Sequence, residues 1–209
     1  MTQTPPTALD LADWRRQIAS LYAQVREMKD PKESWAHWRA VRSRLFKHHP
    51  MSPIPEASRA RFEEIECFPY NSALRFVVDV AACSGPVAEV PLGGDGVMQQ
   101  RPVARTMGLS EALGGELTLY WIDGYGGGLF LPFKDASCGK ETYGAGRYLI
   151  DSIKSADLGQ AADGRLILDF NFAYHPSCAL NPDYICPLAP AENTLPRPVH
   201  GGEKLGPGS

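Results

Sequence analysis

Long apolar runs, paired cysteines and blocks of like charge are all missing from this sequence. The longest apolar stretch, around Leu74 to Ala82, is interrupted by Arg75 and Asp79. It falls well short of the roughly 20 residues that a membrane-spanning helix needs, so no membrane association is expected. The stretch from Met1 to Asp13 has no basic region followed by an apolar one, which argues against a secretory signal and for a cytoplasmic protein. Lys and Arg number 21 against 24 Asp and Glu, for a formal charge of −3. With the charges balanced and dispersed, the electrostatic footprint of nucleic-acid binding is absent. Five cysteines (Cys67, Cys83, Cys138, Cys178 and Cys186) form no C-x-x-C pair, a pattern that suits neither a disulfide framework nor a zinc knuckle.

Familiar catalytic signatures are missing too. No G-x-S-x-G elbow occurs, and the glycines of Asp123-Gly124-Tyr125-Gly126-Gly127-Gly128 lie between two apolar strands rather than before a helix. They read as a hairpin turn and not as a phosphate loop, which needs a helix N-terminus directly after the glycines. His48-His49 precedes Pro50 and reads as a helix end. Cys178 with His175 as its base is conceivable as a nucleophile pair, but Pro176 between them fixes the local path. No pattern specifies a cofactor, a metal or an oligomeric state.

What is present divides the 209 residues into a helical beginning and a β-rich remainder, a size that one domain can fill. Leu11, Trp14, Ile18, Leu21, Tyr22, Val25 and Met28 recur at three- and four-residue steps, the mark of one buried helical face. Asp30-Pro31-Lys32-Glu33 then supplies a cap, a first-turn proline and an acidic third residue. Trp35, Trp38, Val41 and Leu45 continue the period. Pro50, Pro53 and Pro55 make the next segment an extended strap. Residues 1–61 are thus expected to be two helices and a strap packed on a core formed by residues 62–209.

Beyond Phe62, short runs punctuated by Gly and Pro predict strands at Phe62–Cys67, Leu74–Val80, Val97–Thr106, Glu116–Ile122, Leu129–Phe133, Glu141–Ile150 and Leu166–Phe172. The expected fold is mainly β with α+β character: an antiparallel sheet, partly closed barrel or sandwich carrying two N-terminal helices. Pro176, Pro182, Pro187, Pro190, Pro196 and Pro198 predict an irregular C-terminal segment.

The polar residues concentrate in that C-terminal third. A period of two places Glu141, Tyr143 and Arg147 on one strand face, and Asp169 and Asn171 opposite the apolar Leu166, Leu168, Phe170 and Phe172. If these strands form a hairpin, Arg147 lies across from Asp169, with Tyr174 and His175 at the strand end. One reading is a pocket for a small-molecule ligand, in which Arg147 holds an anionic or carbonyl group and Glu141, Asp169 or His175 exchanges a proton. The alternative is a non-catalytic structural or interaction module whose cluster is a buried network, with Arg147 satisfying carboxylates and tail carbonyls.

Phe133-Lys134-Asp135, the run Glu141 to Leu149, the run Leu168 to Ala179, Cys186-Pro187-Leu188, Glu192-Asn193 and Gly202-Glu203-Lys204 together resemble an uncharacterised bacterial and archaeal family, domain of unknown function 1684. Phe68-Pro69-Tyr70 and Arg75 resemble its central strands. The resemblance extends from about Phe62 onward and implies a fold without a known activity. Many such relatives carry an N-terminal β-rich region resembling a forkhead-associated domain, where this chain has two helices. His175 stands where the family pattern leads one to expect asparagine, which shifts the expected site toward Glu141, Tyr143, Arg147, Asp169 and Asn171.

Overall fold

In the computed structural model, which describes residues 6–206, two long helices cover one side of a nearly closed antiparallel barrel. Helix α1 (Ala8–Glu27) opens with a capping box: the Thr7 hydroxyl accepts from the Asp10 amide, and the Asp10 carboxylate accepts from the Thr7 amide. Helix α2 (Pro31–His48) starts as its sequence requires, with the Asp30 carboxylate accepting from the Lys32 and Glu33 amides at 2.8 and 3.1 Å. Both devices satisfy amides that a helix start leaves without partners. Short helices α3 (Glu56–Arg59) and α4 (Ser110–Leu113) lie in connections.

The sheet contains β1 (Arg75–Ala82), β2 (Ala88–Pro91), β3 (Val97–Met107), β4 (Thr118–Ile122), β5 (Gly128–Phe133), β6 (Arg147–Asp151) and β7 (Leu166–Asp169). Its order is β6-β5-β4-β3-β1-β7, with β2 paired to the start of β3. The ends of this path meet where Tyr148 and Tyr174 exchange backbone hydrogen bonds of 2.9 and 3.0 Å. The ladder shifts register beside Pro102 in β3 and Pro132 in β5, where a proline cannot donate to its neighbour.

Alternation divides the apolar side chains between two cores. Leu119, Leu131, Leu149 and Leu168 fill the barrel interior together with Phe133 and Phe170. Their neighbours Tyr120, Phe130 and Tyr148 point outward beneath Ile18, Leu21, Tyr22 and Trp38 of the helices. Each of β4, β5 and β6 is therefore apolar on both faces, as strands covered on both sides must be.

Four local expectations are corrected. Residues 62–67 form no strand; only Cys67 makes an isolated bridge, to Glu203. Glu141–Gly146 is a turn-rich loop, and the strand begins at Arg147. Gly146 has φ +99°, and a Cβ there would collide with the Phe133 carbonyl, so this glycine makes a turn that no other residue fits. β7 stops at Asp169, and Phe170–Phe172 winds into a 3₁₀ turn. Phe172 is thereby rotated out of the barrel and onto the helices. β2 is a further strand, too short, too exposed and too close to Pro91 to give an alternating signal.

Candidate functional site

The loop before β6 and the turn after β7 separate the seven residues that the sequence groups together. Arg147 does not face Asp169. It lies opposite Phe133 on β5, whereas Asp169 lies opposite Arg75 on β1. The expected pairing assumed that β6 and β7 form a hairpin, but four strands stand between them in the sheet.

Arg147 is fully buried. One terminal nitrogen donates to the Gly201 carbonyl and, at 3.1 Å, to the Glu203 carbonyl. The other donates to the Asp135 carboxylate and the Val199 carbonyl, both at 2.8 Å. Its guanidinium carbon lies 5.2 Å from the centre of the Phe133 ring, and Nε has no partner among the described residues. The C-terminal segment is in no ladder, so its carbonyls need donors. The planar fork of arginine supplies several from a single point. Asp135 completes the clasp by accepting from the Ser137 and Val199 amides at 2.8 and 3.2 Å. Burial disfavours the Asp135 charge, but Arg147 and the Ser137 hydrogen bonds outweigh it and hold the pKa below the usual carboxylate range. Gly202, at φ +75°, carries the segment past the Ala173 carbonyl, where any Cβ would clash.

Further polar ties fasten the same segment. The Asn193 amide donates to the Thr118 and Pro132 carbonyls at 2.8 Å and accepts from the Thr118 amide at 2.8 Å. The Glu203 carboxylate accepts from Arg42 of α2 at 2.6 Å and from the His175 amide at 2.8 Å. The Arg42 guanidinium lies about 5 Å from the ring centres of Trp38, Phe46 and Tyr174, so aromatic faces offset part of its desolvation. Helix, barrel and tail therefore meet at one buried ion pair.

Asp169 and Asn171 form a second, separate group. Asp169 accepts from the Asn171 amide at 3.0 Å and from its side chain at 2.7 Å, and Arg75 reaches it at 3.2 Å. Burial raises the Asp169 pKa despite these donors. Asn171 also exchanges hydrogen bonds with the Asn71 backbone at 2.9 and 2.8 Å, pinning the turn that leads into β1.

The remaining residues line a half-open corner. Glu141 is exposed and lies 3.0 Å from His200. The Tyr143 amide donates to His175 Nε2 at 3.2 Å, which commits that nitrogen as an acceptor. Burial pushes the His175 pKa down to about 4. Tyr143 and the free thiol of Cys186 are neighbours of Cys178. Burial and the second thiol raise the Cys178 pKa. A neutral thiol whose neighbours are a tyrosine and a second thiol lacks the activation that a cysteine nucleophile needs.

Asp135, Glu203, Asn193 and Arg75 stand within the runs that carry the family resemblance, but nothing in their local pattern announced a shared role. Arg42 had a signal of its own: it sits four residues from both Trp38 and Phe46, on the apolar face of its helix. A charge on that stripe requires a buried partner.

Among curated proteins none matches this chain. A solved solution structure of an uncharacterized protein from gene locus rrnAC0354 of Haloarcula marismortui is similar, with 28% identity, a TM-score of 0.57, and coverage of 85% of this chain and 98% of that one. Residues 60–204 match the family described as protein of unknown function, DUF1684. The matched region runs from the end of the helical part to the residue after the clasp glutamate Glu203, and the chain belongs to that family.

Proposed function

We propose that the chain is a non-catalytic binding module, in which Arg147, Asp169, Asn171 and Tyr174 serve as internal fastenings and Glu141, Tyr143 and His175 finish the rim beside them. The observation that supports this most directly is the occupation of both terminal nitrogens of Arg147. Four acceptors of its own chain take up its terminal nitrogens in a fully buried site. A ligand could enter only by displacing protein acceptors, leaving buried carbonyls without donors at about 1–3 kcal/mol each. Catalysis at His175 is also disfavoured, because its pKa of about 4 makes it a weak base near neutrality. Free thiols at all five cysteines suit a reducing, cytoplasmic compartment.

Untargeted metabolite profiling tests the proposal: the purified full chain is incubated with a cell extract, and small molecules are followed by mass spectrometry over time. Depletion of a compound should not exceed one equivalent per chain. Consumption of many equivalents, lost in Tyr143→Phe or His175→Asn variants that melt like the parent, would overturn it.

A further inference from the structure

Away from the clasp, the helices meet the barrel at the open edge formed by β1 and β7. Between them lies a cavity of about 70 Å³, bounded by Arg26 at the end of α1, Lys29 in the link, Ser34 in the first turns of α2, Arg75 of β1, Ile167 of β7 and Phe172. We infer that this cavity binds a small oxyanion of the phosphate type. The inference rests on the reading of the chain as a binding module and supplies the chemistry of its ligand.

Arg26, Lys29 and Arg75 line a space with room for several water-sized atoms, enough for one tetrahedral oxyanion. Arg75 spends one nitrogen on Asp169; its other donors have no partner among the described residues. Arg26 donates once, to the Asp157 carbonyl at 2.7 Å. Lys29 has no ion-pair partner among the described residues. Setting Asp169 against Arg75 and the Asp30 carboxylate against Lys29 leaves one of the three positive charges in excess, the sign of charge that an oxyanion requires. The start of α2 contributes little, because the Asp30 carboxylate already occupies its first amides. Attraction therefore comes from the side chains. Forked guanidinium groups match the spacing of phosphate oxygens, and the apolar Ile167 and Phe172 keep part of the wall dry, which strengthens charge pairing.

The same chemistry fits free phosphate and a small phosphomonoester, and a titration separates them. Isotope-labelled full-length protein is followed by NMR at neutral pH and constant ionic strength. It is titrated with inorganic phosphate, with glycerol 3-phosphate and with chloride as a control. Phosphate or its ester should give saturable shifts confined to the amides of residues 26–34, 75–77 and 158 and of the wall residues Ile167 and Phe172, Pro31 having no amide. Equal affinities would identify free phosphate as the ligand; a tighter ester would identify a phosphorylated metabolite. Arg75→Gln strands Asp169 and could unfold the chain, so the exposed Lys29→Gln and Arg26→Gln carry the test. Each should weaken binding roughly tenfold with an unchanged melting temperature. Shifts that do not saturate, that chloride reproduces, or that survive both substitutions would overturn the site. Catalytic turnover in the extract would overturn the non-catalytic reading and leave this titration standing, so the two failures are distinguishable.

Discussion

The two sides of the barrel obey the same alternation and end in different environments. Every residue of β6 is buried, whereas Val78 alone is buried among the eight of β1. Inward residues are equivalent on both sides: Leu149 and Val78 belong to the same core. The difference lies outside, where α1, α2 and the C-terminal segment cover β4 to β6, and β1 and β3 turn Val77, Val80, Val97 and Met107 toward solvent. A strand does not decide whether its second face is buried; what is fastened over it does. The fastening consists of a few buried polar ties, Arg147–Asp135 and Arg42–Glu203 above all.

The largest test of this contrast removes the clasp. Arg147→Met strands the Asp135 charge and three tail carbonyls, and loss of a buried partner typically costs about 3–5 kcal/mol. Thermal and urea melts should show a loss of that order. Arg147→Met combined with Asp135→Asn should cost less than the sum of the single changes, because the stranded charge goes with its partner. Asp169→Asn should add to Arg147→Met without coupling, since the two residues share no partner. Strong coupling to Asp169 and none to Asp135 would break the account.

A smaller effect is expected from acid. His175 has a pKa of about 4 in the fold against an ordinary 6.5, so below about pH 6.5 the unfolded chain takes up a proton that the folded chain refuses. Stability should therefore fall as the pH drops from about 6.5 to 4, by roughly 3 kcal/mol in all. Asp135, held below the usual carboxylate range, gives way only at still lower pH. His175→Asn should flatten the upper window; a parent stability that is level between pH 7 and 4.5 would show that the burial of His175 has been misread.

The smallest effect belongs on the open face. Val80 is 45% exposed on β1, and Val80→Thr should change stability by no more than about 0.5 kcal/mol. A loss as large as that from Arg147→Met would mean that something covers this face in solution, and the contrast between the two sides would fail.

Much of the fold was legible because it follows from short-range chemistry. Asp30-Pro31 sets the start of α2, and Asp123–Gly127 turns β4 into β5 as the glycines demand. Short runs punctuated by Gly and Pro placed the apolar residues of β4, β5 and β7 on the correct strands. Of the candidate site the sequence marked polar residues but not their partners, since Asp135 and Arg75 lie outside the set that parity grouped. Arg147 and Asp169 each engage a buried carboxylate or cation, but with different partners.

The sequence by itself determined where the two long helices begin, which runs supply most of the strands, and that the proline-rich tail could not join a ladder. Caps, turns and periodicity act over a few residues, so the residue types at those positions suffice. Tertiary structure alone decided who faces whom. The turn at Gly146 and the 3₁₀ turn at Phe170–Phe172 each break the period of two, and beyond such a break parity no longer assigns a face. The sheet order then carries β6 and β7 to opposite ends of the path, to be joined only at Tyr148 and Tyr174. That closure depends on contacts between distant segments, which no local pattern of residues encodes.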